Sequence, residues 1–346
     1  MTVNREHIEM ARALHEKHFV SDAHFDLLPL IWDRRQRGET KVMENRYIPA
    51  FRQGGVNLIV SSLFVSNEYL PEMALRRALD YIGVLHEEIE ESPGLFSLCR
   101  SVKEIKEANS AGMVAIVLSF EGVEPIGNDL NLLRIFYELG VRGVGIAWSR
   151  RNYAADGCHF EAREEGQRGG ITDFGVKLIR EAEKLGMYID VSHLNDEGLS
   201  DVLKFYDKAV IASHSNCRNL ARSMRNLTDE QILQIAQRGG LMGMNSCSEF
   251  VKDAKEKIGA ADLADHIEHI YKITGSFEHV CYGFDFCDEF RELSPSPKES
   301  PNYDCIKGHA RSFELTAELI ARGVKEEDIA KIIGGNFLRF LERTIG

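Results

Sequence analysis

Five short motifs set metal-ligating side chains at the ends of apolar runs: Asp22-Ala23-His24-Phe25-Asp26, Ser119-Phe120-Glu121-Gly122, Asp190-Val191-Ser192-His193, Ser213-His214-Ser215 and Gly283-Phe284-Asp285-Phe286. His24 and Asp26 are two apart. In extended backbone such residues face one side, so an imidazole and a carboxylate can serve one ion together; a polar pair capping a strand is the plainer alternative. Glu121 follows the apolar stretch Met113–Leu118, where an ionised carboxylate is costly unless paired or metal-bound. Its two oxygens suit a bridge between two cations, although a lone glutamate here would also fit a salt bridge to an arginine. His193 and His214 end two further runs, and neutral imidazole suits zinc and similar divalent ions. Singly, each fits a hydrogen-bonded structural histidine; with the acids they point to a metal centre. Asp285, close to two cations, would be ionised yet placed to move a proton. It reads as general base toward a water and then acid toward a leaving group, with a further metal ligand as the alternative.

The elements that must position these groups alternate along the chain. Strand-like runs cover Phe19–Asp22, Val56–Leu63, Val114–Ser119, Gly143–Trp148, Tyr188–Val191, Ala209–Ser213, Leu241–Asn245 and Val280–Phe284. They are continuously apolar, as strands buried on both faces are. Helical patterns lie between them at Met73–Ile89, Leu130–Leu139, Asp173–Leu185, Asn195–Phe205, Thr228–Arg238 and Ala261–Ile273. Asp196 and Thr228 stand where N-caps belong, and Gly140, Gly186 and Gly239 where helices stop. Eight strands alternating with helices predict a (β/α)8 TIM-type barrel, whose active site lies at the strand C-terminal ends. An open doubly wound sheet is the other candidate, but it leaves the ligand-type residues after so many strands without a reason. No composition break divides residues 1–346, so one barrel domain is expected. An N-terminal helix, Arg5–Lys17, would pack outside it. Long catalytic-face loops are expected at Arg150–Gly170 and Cys287–Tyr303, the latter holding Pro295, Pro297 and Pro301.

Bulk properties narrow the partners. The chain has 346 residues, 44% of them apolar, and a formal net charge of −12. That acidity argues against a nucleic-acid or anionic-membrane partner. No uncharged run could span a bilayer and the N-terminus lacks a signal-peptide core. Seven cysteines without a CxxC pair fit reduced thiols, so a cytoplasmic protein is expected. His15 and His266 read as solvated helix residues, His159 as a loop residue within possible reach of substrate, and Cys217 as a buried structural thiol. No Gly-x-Ser-x-Gly elbow or phosphate-binding loop is present.

In order and spacing, these motifs, together with Arg225-Asn-Leu-Thr-Asp-Glu230 and Gly334-Gly-Asn-Phe-Leu-Arg339, resemble the renal (membrane) dipeptidase family of zinc peptidases, specifically its bacterial soluble members. The resemblance runs from about Val20 to Leu341. It implies hydrolysis of dipeptides at a binuclear zinc site with a bridging hydroxide, a tolerance for a D-residue at the C-terminal position, and often a homodimer. His24 and Asp26 would bind one zinc, His193 and His214 the other, and Glu121 would bridge them. Asp285 falls on the family's catalytic acid/base. Arg225 falls on the arginine that binds the substrate carboxylate, a role that suits the two parallel hydrogen bonds of a guanidinium. Three positions depart from the family pattern: Trp148 where many members have a substrate-contacting histidine, Cys287-Asp288 after the catalytic Asp-Phe, and Asn245-Ser246-Cys247 where an aromatic is common. These leave other substrates open: a lactone, an N-acyl amino acid or a peptide-like biosynthetic intermediate. A metal-bearing barrel acting only as a binding module is the remaining alternative.

Overall fold

A computed structural model describes residues 2–160, 163–253, 257–293 and 302–346. Its strands are β1 (Val20–Phe25), β2 (Val56–Phe64), β3 (Phe96–Leu98), β4 (Val114–Glu121), β5 (Val141–Gly145), β6 (Tyr188–Asp190), β7 (Ile211–Ala212), β8 (Leu241–Met244) and β9 (Val280–Tyr282). All pairings are parallel, in the order β1-β2-β4-β5-β6-β7-β8-β9. Helices fill the crossovers, so the sheet curls into a nearly closed TIM-type barrel. β9 returns beside β1 without a regular ladder. The seam is bridged where the Asp285 N–H donates to the His24 carbonyl at 3.2 Å and the Phe284 N–H to Asp22 Oδ1 at 3.0 Å.

A ninth strand joins the eight expected. β3 pairs with the first half of β4, Phe96 with Val114 and Leu98 with Ile116, while β5 pairs with the second half, from Leu118–Val141 to Glu121–Gly145. β3 therefore occupies the edge that β5 takes over higher up, and stays outside the ring. Three residues around Ser97 are too few to show a period in sequence. Other boundaries moved. β1 extends to Phe25 and takes in His24; β5 stops at Gly145, leaving Trp148 in the loop beyond; β7 shrinks to two residues.

Capping follows local chemistry. Arg5–Lys17 is a helix capped by Asn4, as its position implies. Thr228 caps Asp229–Gln237 in a reciprocal box with Gln231. The expected cap Asp196 is instead the first helical residue, and Asn195 caps, accepting from the Gly198 N–H at 2.8 Å. The Asp196 carboxylate is drawn away to Arg218, with two contacts of 2.8 Å. Gly186 closes Asp173–Leu185 at φ 74°, a left-handed stop that favours glycine.

Two histidines expected at the surface are buried. His15 contacts the Gly54 carbonyl and Thr316 Oγ1, each at 2.7 Å, and burial lowers it to about 4. It pins the N-terminal helix to the barrel. His266 accepts from the Cys217 N–H at 3.1 Å, contacts the Val251 carbonyl at 2.8 Å, and is lowered by burial to about 4. Both lie on inward helix faces, where an imidazole with both nitrogens bonded is tolerated. Cys217 is buried as expected.

Arg150–Gly170 carries no helix or strand among its described residues; Glu161 and Ala162 lie outside them. The second expected loop instead begins with a short helix, Asp288–Leu293, and its residues 294–301, with all three prolines, lie outside the described residues. No described helix is long and apolar enough to cross a membrane.

Inside the barrel the backbones of β7, β8 and β9 converge just below the site. A Cβ on Gly243 or Gly283 would sit 1.8 or 1.7 Å from the Ser213 carbonyl oxygen. Gly283→Ala therefore forces backbone apart rather than a side chain aside. We expect a loss at or above the upper end of the roughly 1–3 kcal/mol usual for overpacking, read as a lowered denaturation midpoint or failure to recover folded protein.

Candidate metal centre

Every residue the sequence nominated as a metal ligand arrives at one place, the C-terminal mouth of the barrel. His24 comes from β1, Glu121 from the end of β4, and His193 and His214 from the turns after β6 and β7. Asp26 follows β1, and Asp285 lies three residues beyond β9. The Glu121 carboxylate stands between two groups. Its Oε1 is 2.9 Å from His193 Nε2 and 3.8 Å from His214 Nε2. Its Oε2 is 3.4 Å from His24 Nε2, which lies 3.8 Å from Asp26 Oδ1 and 3.9 Å from Asp285 Oδ1. His193 and His214 Nε2 are 2.8 Å apart, and the His24 ring stacks on His214 at 3.7 Å between centroids.

Outer hydrogen bonds aim these groups. Ser213 Oγ donates to Asp190, so it accepts from His214 Nδ1 at 2.7 Å. That places the His214 proton on Nδ1 and leaves the Nε2 lone pair facing the centre, the usual way an outer partner selects a ligating tautomer. Ser149 Oγ contacts His193 Nδ1 at 2.8 Å. Ser62 Oγ donates to Asp26 Oδ1, and Asn245 Nδ2 donates to Asp285 Oδ2 at 2.8 Å. His193 and Asp285 have φ of 69° and 51°. For residues other than glycine this costs on the order of 1–3 kcal/mol and tends to occur at functional sites.

The electrostatics are those of a cluster short of positive charge. Burial opposes a charge on His24, yet Glu121, backed by Asp26 and Asp285, outweighs it and raises the imidazole to about 10. Burial lifts Asp26 well up, with Glu121 adding to it, and burial likewise raises Asp285. Burial would raise Glu121 too, but His24 and His193 hold it well below the usual carboxylate range. His193 is pushed down to about 3 by burial and by Arg225, and His214 well down by burial and by His24. His193 is thus neutral, and its close approach to Glu121 is not a salt bridge. The buried His24 Nε2 and Glu121 Oε2 have no hydrogen-bond partner among the described residues. A tetrahedral ion with ligands at about 2 Å holds them roughly 3.3 Å apart, and the distances here straddle that value. The donor set therefore fits divalent-cation binding: Glu121, His193 and His214 form one group, and His24 and Asp26 stand on the side of the second Glu121 oxygen, with Asp285 beside them.

A cavity of about 330 Å³ opens onto Asp26, Glu121, His193 and Asp285. Trp148 lines it, with its ring 5.1 Å from Phe64, 5.4 Å from Phe160 and 5.7 Å from His193. Phe160 and Phe250 supply the aromatic surface that Asn245-Ser246-Cys247 lacks. Arg225 is buried behind this wall. Its guanidinium donates to the His214 carbonyl and Ser215 Oγ, each at 3.1 Å, and its Nε has no hydrogen-bond partner among the described residues. His159 does not line the cavity; it lies 3.6 Å from Glu165.

Residues to which the sequence reading gave no role prove central. Asp22 Oδ1 accepts from the His24 and Phe284 N–H groups, at 3.2 and 3.0 Å, and its Oδ2 meets His309 Nε2 at 2.8 Å. Asp190 Oδ1 does the same across β6 and β7, accepting from the Ser192 and Ser213 N–H groups at 2.9 and 3.1 Å. The available signal was an acid two residues before His24 and another three before His193. His309 follows no apolar run and left no signal.

A profile of the family described as Membrane dipeptidase (Peptidase family M19) matches residues 8–345. Dipeptidase aclJ of Aspergillus oryzae is 29% identical over 271 residues, which cover 77% of this chain and 61% of the fungal protein, so the chain spans under two thirds of that relative's length. Among solved structures, the metallopeptidase dipeptidase AC of family M19 superposes with a TM-score of 0.82 at 27% identity, covering 95% of this chain and 99% of its own. A metallopeptidase from Rhodobacter sphaeroides, bound to a phosphinate mimic of the dipeptide L-Ala-D-Ala, matches with a TM-score of 0.82 at 26% identity, covering 94% and 99%.

The charge balance has a direct consequence in metal-free protein. His24, raised to about 10 from the ordinary histidine value of 6.5, contributes stability that is complete below pH 6.5 and lost as pH rises through about 10. His193, lowered to about 3, acts in the opposite sense: its contribution is present above pH 6.5 and lost as pH falls toward 3. Imidazole NMR titration of chelated protein should show His24 still protonated at pH 8 and His193 neutral at pH 5.

Proposed function

Because the chain belongs to the membrane dipeptidase family, peptidase family M19, and is by family a metallopeptidase, we propose that it hydrolyses dipeptides at a two-cation centre. The observation that carries this reading is the posture of Glu121, one oxygen turned to His193 and His214 and the other to His24. His24 and Asp26 hold one ion in this reading, His193 and His214 the other, and Glu121 both. Imidazole and carboxylate donors suit zinc. Two divalent cations, when bound, polarise the scissile carbonyl and make a water acidic enough to attack near neutral pH.

The chain's own groups do the rest. Asp285 has Oδ2 held by Asn245, which leaves Oδ1 toward the centre. Burial raises its carboxyl, which suits it to take a proton from the attacking water and return it to the departing amine. Arg225 adds positive charge beside His193, helping to keep that imidazole neutral, and is assigned to the substrate's C-terminal carboxylate. The aromatic wall of Phe64, Trp148 and Phe160 takes an apolar side chain and excludes water. The L-Ala-D-Ala mimic bound by the Rhodobacter sphaeroides relative supports a D-residue at the second position. All seven cysteines are free thiols, which fits a reducing, cytoplasmic setting. Hydrolysis of N-acyl amino acids or lactones is the second reading, favoured by indole where a charged imidazole would stand.

Purified protein should hold two divalent ions per chain and turn over L,L- or L,D-dipeptides, with activity lost on chelation and restored by zinc. Asp285→Asn should retain both ions and lose roughly 10²–10⁴-fold in kcat. One ion or none per chain would rule out the two-cation centre. Two ions with turnover of lactones or acyl amino acids alone would move the assignment to the second reading.

A further inference from the structure

One charge in the cavity has no part in the chemistry above. Arg291, on the short helix Asp288–Leu293, lines the cavity, and the other charged side chains there, Asp26, Glu121, Glu249 and Asp285, are all acidic. It is therefore the one cationic side chain on the lining among the described residues. Its Nη1 donates to Asp288 Oδ1 at 2.8 Å, but among the described residues its Nη2 reaches only the Cys247 thiol at 3.7 Å, a weak acceptor. Asp288 is shared: its Oδ2 takes Lys307 Nζ at 2.6 Å, and its Oδ1 also accepts from the Asp304 N–H at 3.1 Å. The Asp288 carboxylate is thus divided between Arg291 and Lys307. The Arg291 side chain keeps 26% exposure, so its outer N–H groups can be reached from the cavity.

We propose that Arg291 forms an anion subsite for a side-chain carboxylate of the substrate, which makes the preferred substrates dipeptides with an acidic residue beside the scissile amide. The proposal rests on the hydrolytic reading above and adds the substrate class. A guanidinium with unused donors binds a planar carboxylate through parallel, charge-assisted hydrogen bonds. With Arg225 assigned to the C-terminal carboxylate, Arg291 is the cationic side chain of the lining, among the described residues, that is left for a side-chain carboxylate. Cys247 and Cys287 flank the subsite, and neither competes with a carboxylate for the guanidinium.

The test is kcat/KM for dipeptides whose second residue is Asp or Glu, in L and D forms, against the matched Asn, Gln, Ala and Lys dipeptides. The parent protein should favour the acidic members by on the order of tenfold or more, the scale of a charge-assisted hydrogen bond. Arg291→Met should collapse the acidic-to-amide ratio toward one, and Arg291→Glu should turn it toward Lys, with metal content and melting temperature recorded for each variant. A parent protein without acidic preference, or a ratio that survives in Arg291→Met, overturns the subsite while leaving dipeptide hydrolysis intact. Calorimetric binding of glutarate against butyrate gives a readout independent of turnover. A gain from the second carboxylate that vanishes in Arg291→Met sustains the subsite even where no dipeptide is hydrolysed, and equal binding in both proteins overturns it.

Discussion

The structure depends on one unfavourable convergence. Hydrogen-bond acceptors from four strand ends meet at the barrel mouth, closer than acceptors tolerate without a proton or a cation between them. Burial removes the water that would otherwise screen them, and the carboxylates then hold a proton on His24 far above its ordinary range. An imidazolium supplies one positive charge on one side of Glu121. It cannot also satisfy His193 and His214, both of which are held neutral. The centre is thus built as a cation trap, and the surrounding scaffold is what keeps it from relaxing apart.

That scaffold works through two buried carboxylates below the ligands. Asp22 and Asp190 each accept backbone N–H groups from two neighbouring chain segments, and Asp22 ties the His24 N–H into the bond directly. Asp22 does this at the seam, where no ladder joins β9 to β1, so a side chain closes the barrel and at the same time sets the backbone of His24 and the approach to Asp285. His309 holds the far oxygen of Asp22. Asp190 reaches His214 through Ser213. Stability and site geometry therefore share bonds, and the left-handed backbone at His193 and Asp285 is borne by strands that the same bonds lock in register.

Around this centre the cavity is two-sided. Phe64, Trp148 and Phe160 form an apolar wall over His193, while the helix after Phe286 brings Arg291 to the opposite rim. Of the departures from the family pattern, Trp148, Cys247 and Cys287 fall on the cavity lining, whereas Asn245 holds Asp285, and all five nominated metal ligands lie in the centre itself. In the proposed reading the strand ends carry the chemistry and the loops beyond them the selectivity, as the barrel architecture allows.

Much of this was legible in the chain. The alternation of apolar runs with amphipathic segments determined the barrel, because strands covered on both faces must be continuously apolar. A ligand-type residue at the end of five of these runs determined that His24, Asp26, Glu121, His193, His214 and Asp285 would meet, since parallel strands deliver their C-terminal ends to one face. The sequence alone could not decide register or depth. It left β3 unseen, put the helix cap one residue late at Asp196, and set His15 and His266 in solvent, because these depend on which face of an element is covered. Only the tertiary structure showed that Asp22 and His309, far apart in the chain, close the seam together, and that Arg225 is buried behind the cavity while Arg291 lines it. The physical reason is the range of the forces. Hydrophobic periodicity is written locally, whereas the pairing of a buried charge is settled only when distant segments have brought its partners within hydrogen-bond reach.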